Sequence, residues 1–158
     1  MTSRAGVPTA EVVLLCSWIG AALLFTAVVA PAAFSVLPNR ASAGILVGRV
    51  LPVLFYAGVI VGAAVVLLDL LSRSGAWVRT AAGAIAATSC AVAQLIAGAR
   101  ISRLRAEIGG PLDALATDDP RRVAFGRLHA VSVAWLAIAM LAAAVALVLA
   151  VRSMQTRQ

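Results

Sequence analysis

Four long apolar runs, interrupted by arginine, proline and glycine, divide the chain, and none alternates polar with apolar residues as a membrane barrel strand would. The runs predict helices over about 12–33, 39–71, 76–105 and 120–151, with a loop over 106–119. At 1.5 Å per residue, about 20 residues cross a roughly 30 Å hydrocarbon core, so every run is long enough. The expected fold is all-α, an integral membrane four-helix bundle in which residues 1–158 form a single domain. Thr9 is placed to cap the first helix, with Glu11 in its first turn, where the helix dipole favours an acid. Pro31 is expected to end or kink that helix. Arg40 and Arg49 give the start of the second run a segment suited to lie along the interface before descending. In the loop, Gly109-Gly110-Pro111 and Asp118-Asp119-Pro120 are turn and helix-start signals, and Asp119 can cap the fourth helix with Pro120 at its first position.

Small residues recur at helical spacing within the second and third runs. Gly44 and Gly48, then Gly58 and Gly62, fall close to one face of the second helix. Ala82, Ala86, Cys90, Gln94 and Gly98 repeat at four-residue steps in the third. In lipid, small residues let backbones approach closely, so these faces read as packing seams.

Composition agrees with the pattern. Of 158 residues, 63% are hydrophobic and 12% charged, and the mean hydropathy is +1.03. Soluble domains carry roughly twice that share of charge. The net charge of +7 does not suggest nucleic acid, because the arginines flank apolar runs and form no basic stripe interleaved with aromatics. Arginines bordering a membrane, drawn to anionic headgroups, account for the same charge. All the basic residues are arginine, and with the many alanines and valines this suggests a GC-rich bacterial coding sequence and a place in a bacterial cytoplasmic membrane. Cys16 and Cys90 lie inside apolar runs and read as small hydrophobes rather than as a disulfide or a metal pair.

The only histidine, His129, stands where an arginine-rich segment becomes apolar, and no charge follows it until Arg152. An ionisable group just inside a membrane run is a candidate functional residue. His129 and Ser132, three residues apart, share a face, with Phe125 one turn earlier. Four crossings bring the inner arginine Arg100 to the same side, so His129, Ser132 and Arg100 are expected to line a polar pocket at one membrane lip. Arg127, on another face of the fourth helix, and Arg40 join them on that side. Counting arginines gives eight on that side against five on the other, a balance that leaves the orientation open if Arg49, Arg100 and Arg127 have other roles. Asp69 is expected to pair with Arg73 one turn later, with no second buried acid near it, and Gln94 to hydrogen-bond a neighbouring helix. No metal set, phosphate loop or catalytic constellation is visible, so no cofactor and no enzymatic activity are expected.

Several short motifs resemble the transmembrane protein 205-like family of small four-helix membrane proteins carrying a domain of unknown function. They are Trp18 with Gly20, Phe25, Phe34-x-x-Leu37-Pro38, Leu51-Pro52 before Phe55-Tyr56, and Phe125-x-x-Leu128-His129-x-x-Ser132. The chain has Leu51 where the family often has Phe, and Leu136 where it often has Asn. The resemblance implies the same four-helix fold and, through a eukaryotic member linked to drug resistance, a role in export. The expected function is small-solute transport or permeability through the His129 lip, in the lipid bilayer and in oligomeric form. The alternative is a structural partner that docks a larger membrane complex through its glycine faces.

Overall fold

The computed structural model describes residues 6–73 and 75–156. Four helices long and apolar enough to cross a membrane make up the fold: α1 (Val7–Val36), α2 (Arg40–Ser72), α3 (Trp77–Ile108) and α4 (Pro120–Gln155). Each packs on its neighbour in sequence, and α1 closes the ring against α4, giving an all-α antiparallel bundle with α2 and α4 across a diagonal. The protein is a multi-pass membrane protein.

The core follows from the spacing of apolar residues. Leu15, Trp18, Ala22 and Phe25 of α1, Ala82, Ala86, Cys90 and Ala93 of α3, and Leu136, Ala139, Ala143 and Ala146 of α4 step by three and four and are buried. Large side chains face outward in number, among them Val13, Leu67, Leu71 and Leu141, as lipid contact requires. Small residues set how closely the helices approach. A Cβ on Gly62 would lie 2.6 Å from the Gly83 carbonyl oxygen, and one on Gly58 would lie 2.5 Å from Cys90 Sγ and 2.8 Å from the Trp18 ring. The Trp18 indole N–H donates to the Leu54 carbonyl at 3.0 Å, which satisfies the one polar atom of a buried ring.

The helix ends differ from the sequence expectation in informative ways. The chain is already helical at Val7, so Thr9 lies inside α1 and is no cap. Pro31 does not end it: the helix continues to Val36, and the proline's missing N–H is accommodated by a π-helical segment, Phe25–Val29, in which Ala30 N–H bonds to Phe25 O. The second helix runs unbroken from Arg40, capped by Asn39 accepting from Ser42 N–H at 2.8 Å, so no separate interfacial segment precedes it. The third continues to Ile108, where Gly109 ends it at φ +63. Asp119 caps α4, accepting from Arg121 N–H at 2.8 Å, with Pro120 at the first position. The Arg121 side chain and backbone N–H hold the Asp119 carboxyl below its usual range.

Candidate functional site

The most unusual chemistry lies at the end of the bundle where α2 passes into α3. Each helix carries one polar position on its core-facing stripe there. Glu11 precedes Leu15, Trp18 and Ala22 at helical spacing. Asp69 follows Gly58, Gly62 and Val65, Arg79 precedes Ala82, Ala86 and Cys90, and Ser153 follows Ala143, Ala146 and Ala150. The register that buries the apolar residues therefore carries the charges inward. Glu11, Asp69 and Arg79 are 0%, 3% and 2% exposed, deep enough for an ion to require charged partners.

Arg79 is the hub. Its Nε donates to Asp69 Oδ1 at 3.0 Å and Oδ2 at 3.1 Å, and its Nη2 also bonds Asp69 Oδ1. The same Nε lies 3.2 Å from Glu11 Oε2, and Nη1 donates to Ser153 Oγ at 3.2 Å. Thr80 Oγ1 donates to Asp69 Oδ2 at 3.1 Å, and Ser153 Oγ donates to Ala150 O at 2.7 Å. One planar guanidinium thus ties together side chains from all four helices, a role suited to arginine's rigid fork of donors.

This arrangement corrects two sequence expectations. Asp69 does not pair with Arg73, which takes a left-handed conformation at φ 47 to end α2 and is exposed. Asp69 faces inward to Arg79, beyond the turn. Nor is Asp69 the lone buried acid, since Glu11 shares its partner. The signal was present in the sequence, because all three charges continue core stripes.

At the opposite end, Arg105 crosses to α2, both Nη1 and Nη2 donating to Gly44 O at 3.3 Å, and its guanidinium lies over the Phe125 ring, 5.1 Å from the centroid. Phe125 stacks in turn on His129, with centroids 6.4 Å apart and planes 4° from parallel. A contact through a shared aromatic ring leaves no local spacing signal, so nothing in the sequence singles out Arg105. His129 is exposed, Ser132 is buried, and Arg40, Arg100 and Arg127 are exposed. Among the described residues no hydrogen bond or ion pair joins these five. An open groove beside the start of α4 is lined by Asp118, Pro120, Val123, Ala124, Arg127 and Leu128, without His129 or Ser132. Gln94 lies in a second π-helical segment, Ala93–Gly98, with its side-chain oxygen beside Gly98 of the same helix.

Residues 13–109 match a family model described as a domain of unknown function, DUF4149. The chain belongs to this family. The DUF4149 match takes in most of α1, all of α2 and α3, and with them Asp69, Arg79 and Arg105. Glu11 and the Phe125–Ser132 segment lie outside it. No curated protein and no solved structure matches the chain.

Proposed function

We propose that this DUF4149 protein is a small-solute transport or permeability protein, with the Glu11–Asp69–Arg79 cluster as the clasp that closes one end of its bundle. The observation that carries this reading is the burial of three charges where four helices meet. Charged groups in membrane segments are costly and mark ion or solute pathways. A buried pair adds little net stability over an apolar core of similar volume, so packing alone is a weak reason to have one. Opening the clasp separates helices that the guanidinium joins and admits water to groups that hydrate readily.

The arginine-rich end, with His129, Ser132 and Arg40, serves as the opposite mouth. The resemblance to transmembrane protein 205-like proteins supports export as the direction of use. The docking alternative is less favoured because this chain occupies its own glycines: Gly58 and Gly62 pack inside the bundle, and the Arg105 guanidinium lies against Gly44 and Gly48.

The test is efflux from liposomes holding the purified protein and a panel of labelled organic acids, amines and polyols. We expect efflux of at least one class above protein-free liposomes, changed by about tenfold, the equivalent of 1.4 kcal/mol in a barrier, in Glu11→Gln or Arg79→Gln. Protein-free rates for the whole panel, or rates indifferent to both substitutions, overturn the proposal.

A further inference from the structure

The charged residues of the long helices form two belts, and their separation locates the bilayer. Between Arg49 and Asp69 in α2, between Arg79 and Arg100 in α3, and between Arg127 and Arg152 in α4, no formal charge occurs. These intervals are about 20, 21 and 25 residues, or about 30, 32 and 38 Å of helix, against a hydrocarbon core of about 30 Å. The first two match the core with little tilt, and the third, longer by about 8 Å, reaches past it. The belt of Arg49, Arg100 and Arg127 therefore lies at the level of the lipid headgroups. The outer turns of α2, α3 and α4 extend past it into water.

The two belts hold their charge differently. At one, Arg79 is buried against two carboxylates. At the other, Arg49, Arg100, Arg103 and Arg127 are exposed, and among the described residues none of them pairs with a carboxylate. Their guanidinium groups, on three different helices, are exposed at one end of the charge-free spans. A guanidinium matches a phosphate bidentately. By sequence position Arg40, Arg49, Arg100, Arg103, Arg105, Arg121, Arg122 and Arg127 belong to this side, against Arg4, Arg73, Arg79, Arg152 and Arg157 on the other. Arg79 is neutralised inside the bundle and drops out of the topological balance.

We propose that the Arg49–Arg100–Arg127 belt binds the phosphates of anionic phospholipids in the cytoplasmic leaflet, which orients the loops at 37–39 and 109–119 toward the cytoplasm. The belt acts as a collar that selects its lipid and fixes the depth of the bundle. Cytoplasmic leaflets carry the anionic lipid and the positive-inside bias, so one charge pattern serves both ends.

Two readouts on the full chain test this. In nanodiscs, the thermal midpoint is expected to rise as phosphatidylglycerol replaces phosphatidylcholine. The rise should be lost in Arg49→Gln/Arg100→Gln/Arg127→Gln and only partly kept in the corresponding triple Lys variant, which retains the charge without the bidentate fork. Equal midpoints in the two lipids for the unmodified protein, or a full rise in the Gln variant, overturn lipid binding at the belt. If the Gln triple does not fold, the unmodified protein still decides the first of these, and the single Gln variants, each expected to show a smaller rise, decide the second. Alkaline phosphatase fused after Gln158 is expected to be active in a bacterial host, and the same fusion to green fluorescent protein dark. The reverse pattern overturns the orientation.

Discussion

Arg79 joins side chains from the three other helices, and the consequences of changing it follow from what remains. Replacing it with methionine leaves Glu11 and Asp69 buried near each other without the guanidinium that faces both. Breaking a buried ion pair by removing one partner costs about 3–5 kcal/mol, whereas replacing the whole set by apolar groups of similar volume is often close to harmless. Arg79→Met is therefore expected to lose about 3–5 kcal/mol in reversible detergent unfolding, and the triple variant Arg79→Met/Glu11→Met/Asp69→Leu to recover most of it. A triple variant as unstable as the single would contradict the account of the cluster. Glu11, Asp69 and Arg79 continue core stripes in the sequence, yet local rules give the two acids other roles. Glu11 matched the rule for an acid in a first turn, and Asp69 matched the rule for an i,i+4 pair with Arg73. Both rules describe isolated helices. Arg79 lies only ten residues beyond Asp69, on the next helix, and burial decides the partner.

At the scale of helices, close approach between α2 and α3 depends on having no side chain at Gly62. A methyl group there would meet the Gly83 carbonyl at 2.6 Å and Ala87 N at 2.8 Å, both backbone atoms that can yield only if a helix moves. Gly20, on the exposed face of α1, has nothing within 4 Å of such a methyl. Gly62→Ala is thus expected to destabilise the protein by about 1–3 kcal/mol through overpacking. Gly20→Ala, measured in the same unfolding assay, is expected to be neutral or mildly stabilising through helix propensity. Equal effects would contradict the seam. The existence and order of the helices, and the Asp119-Pro120 start of α4, were plain in the sequence because hydrophobic runs and turn residues are local signals. The passage of α1 through Pro31 was not. A proline's effect depends on whether the chain can slip into a π-turn, and neighbours in space settle that.

On the scale of the whole molecule, the bundle holds buried charge at one end, exposed arginine at the other, and small apolar residues between. The sequence made this asymmetry visible as a count of arginines. The count could not separate Arg79, withdrawn into the interior, from Arg100, left outside. That distinction needs the register of four helices at once, and it moves attention from His129 to Arg79. His129 remains on the outer edge of the arginine-rich end, stacked on Phe125. If the cluster is the clasp of a solute path, releasing it must admit water to the interior between α2 and α3. Cys90 is placed to report this, being fully buried about 16 Å along α3 from Arg79, whereas Cys16 faces outward. In a Cys16→Ser background reconstituted in liposomes, the most direct measurement is the rate at which a membrane-impermeant maleimide labels Cys90, with Arg79 intact and with Arg79→Gln. The account predicts a protected thiol in the first and a labelled one in the second; equal rates in the two proteins would contradict it.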